Sequence, residues 1–220
     1  MLPPQLVEIS SRLGLLGIPR GPRRKRLSFL EESPDPWLRR GVLSHALTEL
    51  AAPGPGAGLL LSAALCFCAR TSLPAALVDG ADSFDPKSGL AGPTPSLLWI
   101  RCRLPREILR AADLLLRDGS FPLVWIDLSR LPPSELRRIP STTWHRFGRL
   151  VERKGTAALL ITPFPWIPAA RERYRIESSL SLDCLEEPRE ALWQRLRLAP
   201  LRLSGSGSPG SPARLAAAAG

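Results

Sequence analysis

The sequence predicts an α/β domain built on a mostly parallel sheet with helices on both faces. Three observations carry this. Ala75–Asp79, Ser96–Cys102, Leu123–Asp127 and Thr156–Thr162 are almost wholly apolar rather than alternating, as strands buried on both faces are. Stretches of helical periodicity separate them, which gives the β–α alternation of parallel folds. Finally, residues 46–62 run from a short strand through a Pro/Gly turn (Pro53 to Gly58) into an apolar helix. That is how a phosphate-binding loop is built, with backbone N–H groups and a helix N-terminus turned toward an anion.

Along the chain, Leu6, Val7, Ile9, Leu13 and Leu16 fall at helical spacing within 3–16 and predict a short amphipathic helix. Arg20-Gly-Pro-Arg-Arg-Lys-Arg26 is a basic loop, and 31–36 an acidic linker. Ala46–Leu50 is the first core strand. Gly58–Arg70 is a helix so uniformly apolar that both its sides are expected to be covered. Between the strands at 75–79, 96–102 and 123–127 lies a helix over 105–118: Pro105 suits its first turn, Ile108, Ala111, Ala112 and Leu115 form its stripe, and Gly119 stops it. Pro132-Pro133-Ser134 opens a short helical turn. Ser141 is expected to cap a helix that runs to Lys154 and ends at Gly155, with Trp144, Phe147, Leu150 and Val151 inward. Pro163 closes the strand at 156–162. Alternation over Tyr174–Leu182 predicts a late edge strand or hairpin. Residues 193–203 are either a last strand or a basic amphipathic end, and the Ser/Gly/Pro run at 204–212 reads as a linker. The expected organisation is a helix and basic arm over 1–40, a core over 41–203 and a tail over 204–220.

The order of strand, Gly turn, helix, the segment Leu77 to Pro86, and then a strand ending in Asp127 resembles the RecA-like core, a P-loop-type fold. The closer resemblance is to its ImuA/SulA-like branch. There the loop is similar to Thr48-Glu-Leu50 followed by Pro55-Gly-Ala-Gly58 and a leucine run, with a strand like Leu98-Trp-Ile-Arg101 before a helix. The likeness covers about residues 37–185. It implies a nucleotide site at Gly54, Gly56, Ala57, Gly58, Asp79 and Asp127. It also implies a DNA-contacting loop at 162–173, where Trp166 is the tryptophan placed for exposure while Trp99, Trp125 and Trp144 read as core.

The chain departs from the family where the chemistry lies. A phosphate loop needs a Lys for the β/γ-phosphates and a hydroxyl for magnesium, and Leu59 and Leu60 stand there. By spacing, the family's activating glutamate falls on Ala81. The expectation is therefore no catalytic residue and no cofactor, with residual ATP binding left open. The resemblance implies a non-hydrolysing accessory protein in DNA repair and the SOS response, in translesion mutagenesis, docking on RecA recombinase or a Y-family DNA polymerase. The alternatives are an active ATP-dependent recombinase paralogue and a SulA-like cell-division regulator.

Composition bears on partners. Thirty Lys+Arg against 20 Asp+Glu give a net charge of +10, which favours an anionic partner, DNA first. Arg20, Arg23, Arg24, Lys25, Arg26, Arg171 and Arg173 are the candidate contacts; a compositional bias toward Arg and a solvated arm are the plain alternatives. Four irregularly spaced cysteines and two histidines favour neither a disulfide framework nor a metal site. No apolar run reaches the ~18 residues of a membrane span and no secretory h-region follows Met1, so no membrane contact is expected and the cytoplasm is the expected location.

Overall fold

The computed structural model describes residues 26–52, 54, 56–89, 95–178, 180, 184 and 186–201. The amphipathic segment at 3–16, the basic residues Arg20 to Lys25 and the tail from 204 lie outside them. Seven strands form one sheet: β3 (Ala46–Ala51), β4 (Ala75–Asp79), β5 (Leu97–Arg101), β6 (Leu123–Asp127), β7 (Ala157–Thr162), β8 (Glu172–Ser178) and β9 (Leu196–Pro200). Their order is β5-β4-β6-β7-β3-β8-β9. Every neighbouring pair is parallel except β8–β9. A separate ribbon pairs β1 (Arg26–Leu27) with β2 (Val42–Leu43).

The period-two alternation of strand side chains divides the core in two. Leu50, Leu77, Leu123, Trp125, Leu159 and Ile161 point to one side, where they meet α2 (Gly56–Arg70). Leu47, Val78, Val124, Ile126 and Leu160 point to the other, where they meet α4 (Pro105–Asp118), α5 (Pro133–Arg138) and α6 (Ser141–Lys154). Helices on both faces and a buried parallel sheet match the sequence expectation. The apolar surface of α2 also has its reason. Leu27, Phe29, Leu30 and Val42, Leu38 of α1 (Pro36–Arg40) and Trp193 of α7 (Arg189–Trp193) join the same cluster, with Phe29 edge-on to Phe67 at 5.7 Å. The remaining short helix, α3, spans Pro86–Gly89.

Helix ends follow local chemistry. Glu107 reaches back to accept from the N–H groups of Arg103 and Leu104, and those bonds hold its carboxyl below the usual range. Gly119 and Gly155 close α4 and α6 at φ +74° and +82°, a left-handed conformation that costs other residues about 1 kcal/mol. Two expectations change. Ser141 is the first residue of α6 rather than its cap; the preceding Pro140 sits at the N-cap and no side chain caps the helix. The late strand is β8, paired in parallel with β3 and one place in from the edge, because β9 continues the sheet beyond it. The segment read as an acidic linker places Asp35 at the N-cap of α1, accepting from Trp37 and Leu38, while its second oxygen accepts the Leu198 N–H of β9.

Candidate functional site

The C-terminal ends of β3, β4 and β6 meet at a cleft of about 410 Å³. Gly54, Ala57 and Gly58 form one wall, Ser83, Phe84 and Asp85 another, and Asp127 and Ser129 the strand end between them. Leu59, Leu61 and Trp125 contribute apolar surface, and among the described lining residues Arg189 from α7 is the one basic group. The helix that opens on this cleft is held by packing rather than by phosphate chemistry. A Cβ on Gly56 would meet Ile176 of β8 at 2.6 Å, so this glycine allows α2 to approach the sheet, whereas Cβ atoms at Gly54 and Gly58 would meet nothing within 4 Å. Leu60 is 2% exposed and belongs to the core.

Of the six nucleotide candidates, Gly54, Ala57, Gly58 and Asp127 line the cleft, and Gly56 and Asp79 are buried outside its lining. Asp79 and Asp127 are register partners on neighbouring strands, yet they do different things. Asp79 accepts from the N–H groups of Ser83 and Phe84 at 3.2 and 3.3 Å and from the Trp99 indole at 3.2 Å, which fixes the turn after β4. Asp127 accepts the Ser129 N–H at 2.8 Å and the Ser83 hydroxyl at 3.4 Å. Burial pushes its carboxyl above the ordinary aspartate range and the neighbouring Asp79 charge adds to this, against the opposing Ser129 and Ser83 bonds. Ala81 is buried and apolar, and the adjacent Asp82 is spent on an exposed ion pair with Arg101. Chemically the described lining offers backbone, two serine hydroxyls (Ser83, Ser129), two carboxyls (Asp85, Asp127) and one guanidinium. Among the described residues, no group of three or more His, Cys, Asp or Glu is placed to hold a metal.

A second feature lies beyond the end of β7. Phe164 and Trp166 lie edge to face at 6.1 Å, and the Arg137 guanidinium sits over both rings, 5.5 Å and 5.7 Å from their centres. Trp166 is 37% exposed, and Arg137 makes no ion pair among the described residues. The loop that presents them is tied down by Glu49 of β3. Its Oε1 accepts from the Thr162 hydroxyl at 3.0 Å and from the N–H groups of Trp166 and Ile167 at 2.6 and 3.0 Å, while Oε2 accepts from Arg173.

The candidate basic residues separate accordingly. Arg173 is committed to Glu49 and to the Ile167 carbonyl, and Arg26 to Glu172 and the Gly41 carbonyl. Both are engaged in ion pairs within the fold. Arg171 keeps an exposed side chain while its N–H donates to Leu47. The sequence reading missed Glu49, Ser83, Ser129, Arg137 and Arg189. Only Glu49 carries a local signal, a carboxylate inside an otherwise uncharged strand.

No protein-family model and no curated protein matches this sequence. Among solved structures, the RadB recombinase is similar over 68% of this chain and 82% of that one, at 16% identity and a TM-score of 0.52. Among the described residues, no helix is long and apolar enough to cross a membrane. The strand order, the cleft at the strand ends and this likeness together make the chain's fold a RecA-like α/β core.

Proposed function

We propose that this chain is a RecA-like accessory protein of DNA repair and the damage response, which contacts DNA and other proteins and does not hydrolyse ATP. The first turn of α2 carries this reading. Leu59 and Leu60 occupy the places of the phosphate lysine and the magnesium hydroxyl, and Leu60 is packed into the core. With neither group, the γ-phosphate lacks its usual charge partner and a positioned metal. The nucleic-acid part is supported by the net charge of +10 and by the Arg137–Phe164–Trp166 face. An exposed indole with a guanidinium beside it offers stacking to bases and charge to phosphates. Within this reading the role is translesion mutagenesis, with a RecA recombinase or a Y-family polymerase as the protein partner.

The purified chain is expected to release no phosphate from ATP with or without single-stranded DNA, and to co-purify with the recombinase or the error-prone polymerase of its host. DNA-stimulated hydrolysis abolished by Asp127→Ala would establish an active ATPase instead. Binding to neither protein, with no damage sensitivity on deletion, would sink the translesion role.

A further inference from the structure

A carboxylate that is 0% exposed inside a strand must be paired and hydrogen-bonded to be tolerated, and the partners of Glu49 all lie between the last residue of β7 and the start of β8. Thr162 ends β7, Trp166 and Ile167 lie in the loop, and Arg173 is the second residue of β8. Arg173 closes the circuit by donating to the Ile167 carbonyl at 2.6 Å. The loop is therefore clamped at its middle from both flanking strands, on a backbone donor pair and a backbone acceptor. None of the residues lining the cleft belongs to this circuit. The clamped turn carries Trp166 itself, with Phe164 two residues before it and Arg137 stacked over both.

We propose that Glu49 is a positioning residue that locks the loop over 163–170, so that the Arg137–Phe164–Trp166 face is held ready for single-stranded nucleic acid whether or not the cleft is filled. This rests on the reading that the chain binds nucleic acid, and it adds how that surface is controlled: by a buried ion pair in the sheet, not by a ligand. The chemical class follows from the face. A planar indole and a phenyl ring take unstacked bases, and the guanidinium over them takes phosphate; an acidic peptide could use the charge but gains less from two rings.

The experiment compares the full-length chain with Glu49→Gln, Trp166→Ala and Leu65→Ala, the last a buried α2 residue in the opposite core layer, which contains no residue of the loop, chosen to lower global stability. Amide exchange at Trp166 and Ile167 reads the lock, because those two N–H groups are its donors. Binding of a labelled oligo-dT, with and without ATP and magnesium, reads the surface. In Glu49→Gln, exchange at both amides is expected to quicken about tenfold beyond the change in Leu65→Ala. Trp166→Ala is expected to weaken oligo-dT binding about tenfold with Ile167 still protected. Wild-type affinity is expected to be the same with and without ATP. Equal exchange in Glu49→Gln and Leu65→Ala overturns the lock, and so does an affinity that ATP changes several-fold. A wild-type chain that binds an acidic peptide but no oligo-dT overturns the assigned partner and the nucleic-acid reading together, while the exchange data decide the lock independently.

Discussion

Glu49 and Asp127 are both buried carboxylates near the C-terminal ends of core strands, at 0% and 7% exposed, and their surroundings set them apart. Glu49 is met by a guanidinium and three neutral donors. Asp127 has, among the described residues, the Ser129 and Ser83 donors and faces Asp79 across the register, and burial raises its pKa above 3.8. The sign of the consequence follows from linkage. Just above pH 3.8 the folded state keeps a proton that the unfolded state has already released. Stability therefore falls as pH rises through that window, and the penalty is complete above the folded pKa. Asp127→Asn keeps an oxygen for the Ser129 N–H and can donate its amide to Ser83, with no charge to desolvate. The variant is expected to melt higher than wild type at neutral pH, with the difference shrinking as pH falls through the window toward 3.8. A lower melting temperature at neutral pH would mean that Asp127 is stabilised by something other than these two bonds. Neither residue's role was legible locally. Thr162 and Arg173 lie 113 and 124 positions beyond Glu49, and no periodicity links residues across that distance.

Elements that carry their own chemistry were the legible ones. The helix expected over 105–118 is observed as Pro105–Asp118, because Pro105, an apolar stripe and Gly119 specify start, face and stop within one segment. The strands at 75–79 and 123–127 are likewise read at their bounds, since a buried parallel strand is a bare apolar run. Elements defined by distant neighbours were not. The place of β8 depends on β3 and β9, and the acidic stretch at 31–36 reads as a linker because its partner Leu198 lies 163 positions beyond Asp35. Asp35 does two jobs, capping α1 and occupying the outward Leu198 N–H of the edge strand β9. An unpaired strand edge invites pairing with another chain. Asp35→Ala is expected to cost about 1–3 kcal/mol, a lost cap plus an unsatisfied buried N–H. Denaturant unfolding reads that loss, and light scattering should detect association through the freed edge. An unchanged midpoint with no association would mean that solvent replaces both of its bonds.

At the scale of the whole molecule, the charge of +10 is what points outward, and the fold sorts which charges are free to act. Arg26 and Arg173 answer Glu172 and Glu49; they contribute to cohesion and cannot release counterions from a polyanion without breaking those pairs. Arg20, Arg23, Arg24 and Lys25 lie outside the described residues, immediately before the strand Arg26–Leu27 that pairs with Val42–Leu43. If these four meet phosphates, each contributes to the salt dependence of binding, about 0.7 in the slope of log affinity against log salt on a single strand. Replacing all four by Ala is expected to flatten that slope by up to about 3 and to weaken binding to oligonucleotides of any sequence alike, with the melting temperature unchanged. Arg26→Ala should do the reverse, lowering the melting temperature and leaving the slope alone, because its partner is a carboxylate of the same chain. Titration of oligo-dT binding against salt for the two variants separates the cases. A slope unmoved by the fourfold change would leave nucleic-acid contact to the loop face alone, and a slope that moves with Arg26→Ala would mean that its pair with Glu172 opens on binding.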